Sequence, residues 1–172
     1  MYLKVGVIGY SGDINIPKIK RIENTTIELG RMLAQKEHHI LNGGRDGVME
    51  LVSKGAKEFN GKVTGVLPWD QEGNEYLDFE IKTGLDFSMR SFILLKSVDV
   101  VISLGGEVGT GIEILGAYAY SKPLILLKGS GGWTDRIINN LIEDKYIDNR
   151  KLVEAHIANS VEEIENILEK ME

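Results

Sequence analysis

Short, continuous apolar runs alternating with helical patterns constrain this chain more than any other feature. LKVGVIG (3–9), HHIL (38–41), KVTGVLP (62–68), VDVVISL (98–104) and PLILLK (123–128) read as strands. FEIKTG (79–84) and LVEAHIA (152–158) read as two shorter ones. Between them, residues 16–36, 48–59, 88–97, 109–120 and 133–144 have helical patterns. Ser160 and Glu163 form a capping box ahead of a closing helix. Strands that are apolar throughout must be covered on both faces. The pattern therefore predicts a mostly parallel sheet in a Rossmann-like three-layer α/β fold. No fixed-period repeat or low-complexity stretch interrupts it, so residues 1–172 read as one domain of that type.

Composition removes several classes of function. The formal charge is −6 and no basic tract exists, so nucleic acid is not an expected partner. The absence of cysteine excludes disulfides, thiolate metal sites and a Cys nucleophile. His38, His39 and His156 lack the spacing of metal ligands, so no metal site is expected. No apolar run approaches the roughly 20 residues of a membrane span. The expectation is a cytoplasmic protein with no membrane partner.

Four glycine-bearing turns follow predicted strands: GYSG (9–12), NGGRDG (42–47), LGGEVGTG (104–111) and KGSGG (128–132). In an open parallel sheet, ligands lie beyond the carboxyl ends of the strands, where glycine lets backbone approach them. The turns therefore predict a site for a phosphate-bearing small molecule, drawing on Gly9, Ser11, Gly43, Gly44, Arg45, Gly105, Gly106, Gly109, Thr110 and Gly111. Ser11 and Ile14 stand where a dinucleotide fingerprint needs glycine, and no G-K-[ST] occurs. A mononucleotide or sugar phosphate fits better than NAD or a hydrolysed ATP. Arg45 reads either as a solvated turn charge or as a ligand contact. Trp133 reads as a packing staple or, less simply, as a stacking platform for a base.

The stretch SLGGEVGTGIE (103–113) has two readings of its own. Thr110 and Glu113 make T-x-x-E, which alone is a capping box. That pattern does not account for four glycines after so apolar a strand. Bare amides at a helix N-terminus form an anion site instead. Arg90 lies in the first turn of its predicted helix, where a cation opposes the helix dipole. It is a candidate functional residue unless a carboxylate or solvent accounts for it.

The order SMRSFILLKSVDVVISLGGEVGTGIE resembles the LONELY GUY (LOG)-like proteins, often labelled "possible lysine decarboxylase". Their signature is a Met and Arg on one helix, then P-G-G-x-G-T-x-x-E after the next strand. LNGGRDGVMELVSKGAKEFNGKVTGVLP resembles the family's glycine turn, helix and G-V-x-P strand. TGL followed closely by Arg90 resembles the branch related to molybdenum-cofactor carrier proteins. The resemblance implies a homodimer or higher oligomer with a nucleotide-shaped pocket and no required cofactor. It implies hydrolysis of a nucleoside 5′-monophosphate to free base and ribose 5-phosphate, with Arg90 and Glu113 as catalytic residues. Gly109 and Thr110 match the phosphate-binding turn. The alternative is a non-catalytic carrier of a phosphorylated cofactor such as the molybdenum cofactor. No lysine context for pyridoxal phosphate occurs, which argues against a lysine decarboxylase. Three positions depart from the signature: Gly105 replaces Pro, Glu107 replaces the second Gly, and Ser91 follows Arg90 where the enzymes have Lys. A carboxylate in an anion-binding turn repels its ligand unless it points away or meets a cation.

Overall fold

In the computed structural model, which describes residues 2–171, the expected alternation folds as one parallel sheet. The strands are β1 (Lys4–Gly9), β2 (His39–Asn42), β3 (Val63–Leu67), β4 (Phe79–Lys82), β5 (Val100–Leu104), β6 (Leu124–Leu127) and β7 (Ala155–Ala158). Their order is β4-β3-β2-β1-β5-β6-β7, and every pairing is parallel. The helices are α1 (Pro17–Lys20), α2 (Glu23–Gln35), α3 (Val48–Lys57), α4 (Phe87–Lys96), α5 (Val108–Ala119), α6 (Gly132–Ile138) and α7 (Val161–Glu169).

The side chains of the central strands divide between two cores. Val100, Ile102 and Leu104 enter one, with Leu29 and Leu33 of α2 and Leu51 and Val52 of α3. Val101, Leu124 and Leu126 enter the other, with Leu94 and Leu95 of α4 and Ile114 of α5. That two-sided burial explains why the strands read as unbroken apolar runs. β4 is the exception. All four of its residues are exposed at the sheet edge, with Phe79 and Ile81 facing solvent.

Two predicted helices are corrected. The pattern over 16–36 breaks into α1 and α2, because the Ile22 amide bonds back to Ile19 O at 3.0 Å and tightens the chain. The pattern over 133–144 stops at Ile138, since Glu143 and Asp144 take positive φ and Ile142 pairs instead with Tyr146. The closing helix begins at Ser160 as expected, and Ser160 Oγ accepts from the Glu163 amide. The Glu163 carboxylate completes no box. It accepts from the backbone and side chain of Asn159.

The chain lays down β1 to β4 outward on one side, then crosses to β5 and builds the other side. The switch point therefore falls between β1 and β5, where Gly9 is in register with Leu104. A side chain at Gly9 would strike the Leu104 carbonyl and Val48 at once. Gly9 O meanwhile accepts from Thr110 Oγ1 at 3.0 Å, tying the end of β1 to the start of α5. Gly9→Ala should destabilise the fold by about 2–3 kcal/mol, read as a lower urea midpoint, because neither neighbour can move aside cheaply.

Candidate functional site

All four glycine turns emerge at the carboxyl edge of the sheet, after β1, β2, β5 and β6. A cleft of about 200 Å³ opens at the switch point. It gathers Gly9, Ser11, Gly43, Arg90, Gly109, Thr110 and Glu113 from the expected residues, and adds Met49, Phe87, Ser91 and Glu107.

The remaining expected residues lie behind this lining or beside it. Gly44 packs on Leu67 and Gly65. Arg45 is half-buried, bonds the Gln71 side chain and stacks 5.3 Å from the Phe87 ring centroid. Gly105 and Gly106 have φ of +64° and +89° and pack inward. The Tyr10 ring occupies the space a Gly105 side chain would take, and Thr110 does the same at Gly106. Ser130 Oγ accepts from the Gly105 amide at 2.8 Å, and the Gly105 carbonyl accepts from Thr134 Oγ1 at 2.7 Å. These two glycines thus anchor the loop to α6. Gly111 sits against the Trp133 ring, whose backbone amide bonds Gly106 O at 2.8 Å. Trp133 is a packing staple.

Helix α5 is not capped by Thr110 and Glu113. Its N-cap is Glu107, which makes no side-chain capping bond. Thr110 turns to Gly9, and Glu113 turns to Ser91 on α4. The amides of Val108, Gly109 and Thr110 have no protein acceptor among the described residues. They form the open end of a 12-residue helix dipole.

Arg90 faces this helix end from across the cleft. Asp86 caps α4, accepting from the Ser88 and Met89 amides at 2.9 Å each, and so fixes the turn that carries Arg90. The side chain is only 6% exposed. Among the described residues it makes no hydrogen bond or ion pair, and its Nε is sealed from solvent. Gly43 makes room for it, since a side chain there would collide with both terminal guanidinium nitrogens. Burial lowers the Arg90 pKa, Glu113 opposes that shift, and Arg45 adds to it. The guanidinium stays charged. A cation buried without a counter-ion invites an anion.

Glu113, on α5, is buried and lines the same cleft. Burial raises its carboxyl above the ordinary range, while the Ser91 hydrogen bond and the Arg90 charge pull it partway back. Ser91 Oγ lies 2.7 Å from Glu113 Oε1 and 3.2 Å from Phe87 O. One hydroxyl proton cannot serve both acceptors. The shorter contact has the Ser91 hydroxyl donating to Glu113 Oε1.

A Rossmann-like fold with a cleft at its switch point, lined by a buried arginine and a buried glutamate, defines the broad class. The chain belongs to the SLOG cluster4 family, whose model matches residues 2–164. Among solved structures it is similar to TM1055, at 57% identity and TM-score 0.95 over 97% of this chain and 98% of that one. It is also similar to the molybdenum cofactor binding protein of the phototrophic bacterium Rippkaea orientalis, at 29% identity and TM-score 0.81 over 99% and 98%. Among curated relatives it is 30% identical to the probable cytokinin riboside 5′-monophosphate phosphoribohydrolase LOG4 of Oryza sativa subsp. japonica. That match covers 71% of this chain and 58% of the rice protein. The resemblance to LOG-like proteins and to their molybdenum-cofactor branch therefore holds.

Sequence reasoning named Arg90 and Glu113 but missed Lys18, which pairs with the cleft-lining Glu107. No local pattern marks a lysine whose partner lies so far along the chain. Met49 was missed because it reads as an ordinary helical apolar residue, and Phe87 because it falls just ahead of the helix read over 88–97.

The Glu113 pKa carries a sign that can be measured. A carboxyl raised in the folded state binds more protons there than in the unfolded chain between the two pKa values. Its contribution to stability therefore falls as pH rises through that window. Glu113→Gln keeps a partner for Ser91 and removes the dependence. By calorimetry it should melt with wild type below about pH 4 and increasingly above it as the pH rises from there.

Proposed function

We propose that this protein binds a phosphorylated, nucleotide-like small molecule in the switch-point cleft and needs no resident cofactor to do so. Arg90 carries this reading: a guanidinium 6% exposed, without a partner among the described residues, opposite three free helix amides. The phosphate sits between the amides and Arg90, and Glu113 faces the part of the ligand next to it.

The carrier reading is preferred to hydrolysis. The match to the molybdenum cofactor binding protein runs the full length of both chains, whereas the match to the phosphoribohydrolase spans part of each. The geometry of Glu113 supports the same choice. A carboxylate that stabilises an oxocarbenium-like centre must be ionised. Burial favours a neutral Glu113 and outweighs the opposing Ser91 hydrogen bond and Arg90 charge. The cargo on this reading is a phosphorylated heterocycle such as the molybdenum cofactor. Hydrolysis of a nucleoside 5′-monophosphate is the second reading, supported by the placement of Arg90 and Glu113 in one cleft and by the rice relative.

Mass spectrometry of copurified small molecules, followed by calorimetric titration, tests the binding. Arg90→Met should weaken a phosphorylated ligand by about 10- to 150-fold, the range for losing a charge-assisted contact. A panel of monophosphates that bind without releasing free base supports carriage. Release that disappears in Glu113→Gln establishes the hydrolase instead. A wild-type protein that binds no phosphorylated compound ends both readings.

We also propose a homodimer. At about 200 Å³ the cleft is smaller than sites that enclose a whole organic ligand. Its mouth opens beside an apolar face formed by Met89 and Ile93 of α4 and by Val108, Ile112, Leu115 and Ala119 of α5. The spacing of the α5 residues makes one stripe along the helix, and every member is exposed. A second copy seated there would cover the stripe and deepen the cleft. Leu115→Asp should convert the sedimentation profile from dimer to monomer.

A further inference from the structure

Glu107 sets an electrostatic problem for any anion in this cleft. It is the N-cap of α5, its backbone is extended, and its carboxylate is exposed. It borders the cleft beside Gly109 and Thr110, whose amides have no protein acceptor among the described residues. A carboxylate in that position can turn onto the open helix end, or it can remain in the cleft mouth and repel a phosphate. It does neither freely, because it is paired with the ammonium of Lys18.

Lys18 reaches it from α1. Its Nζ also lies 5.0 Å from the centroid of the Tyr10 ring, which fixes the direction of approach. Tyr10 is buried and wedged against Gly105, so this support is rigid. As a stabilising contact the ion pair counts for little, since both side chains are solvent-exposed. Its consequence lies at the helix end, where the amides of Val108, Gly109 and Thr110 stay uncovered.

We infer that Lys18 is a positioning residue for anion binding: by holding and neutralising the Glu107 carboxylate, it keeps the α5 amides and Arg90 open to an incoming phosphomonoester. The inference rests on the anion-binding reading above. It does not rest on the helix end alone, because the buried, unpartnered Arg90 lines the same cleft from the opposite wall. It also accounts for a glutamate standing where LOG-like enzymes carry glycine. The substitution introduces a charge, and Lys18 supplies its match.

A double-mutant cycle on the full chain tests it, with adenosine 5′-monophosphate and inorganic phosphate as probes and adenosine as the uncharged control. Lys18→Met keeps the alkyl stem over Tyr10 and removes the ammonium. It should weaken the monophosphate about two- to fivefold, the scale of one surface charge near a helix end, and leave adenosine unchanged. The loss should shrink at about 500 mM salt, where exposed charges are screened. Glu107→Gln placed on Lys18→Met should restore binding, because no carboxylate then remains to be held. Glu107→Gln alone should bind at least as tightly as wild type.

Lys18→Met binding like wild type would overturn the inference and leave the anion reading intact. So would a defect that Glu107→Gln fails to rescue, since Lys18 would then touch the ligand itself. Wild-type protein indifferent to both adenosine 5′-monophosphate and inorganic phosphate would overturn the anion reading and the inference together. The melting temperatures of the four proteins serve as the control for folding.

Discussion

Burying a guanidinium without a counter-ion costs several kcal/mol, and the organisation of the cleft follows from how this chain holds Arg90 in that state. Asp86 fixes the turn beneath it, Gly43 clears the volume it fills, and Arg45 stands near enough to disfavour its charge. None of these neighbours supplies an acceptor. The nearby carboxyl that could do so, Glu113, is engaged with Ser91 and kept in an environment that favours its neutral form. The protein thus preserves an unmet positive charge at the point where its sheet changes direction.

The parallel sheet was legible because both faces of its strands are buried, and an unbroken run such as VDVVISL leaves neither face fit for water. The glycine turns were legible for a related reason, since each had to follow a strand. Helix ends were harder. The patterns over 16–36 and 133–144 continue past the points where Ile22 and Ile142 find local backbone partners instead. At T-x-x-E the local pattern was a sound capping box, but tertiary partners outcompeted it: Thr110 took a carbonyl from β1 and Glu113 took a hydroxyl from α4. Lys18 was beyond reach of any pattern, because its role exists only once α1 and α5 face each other.

Two chemistries share this architecture, and the protonation of one carboxyl separates them. A neutral Glu113 offers a hydrogen-bond donor to a bound heterocycle or sugar. An ionised Glu113 offers charge to a developing cation. Ser91 stands where LOG-like enzymes carry lysine, and a hydroxyl does less than an ammonium to keep a carboxyl ionised. The departures at 91 and 107 therefore bear on the same question from opposite sides of the cleft: one tunes the carboxyl in its wall, the other the charge at its mouth.

β4 has a consequence of a different kind. Its outer row of peptide groups is unpaired, and Phe79 and Ile81 give that row a greasy surface, which together make a template for a stray strand. Lys82, bound to Glu72 and close to Glu80, places charges along the same border. Charges along an edge strand disfavour its pairing with the edge of another sheet. Colloidal behaviour in concentrated electrolyte is thus written into four residues at the rim, far from the cleft.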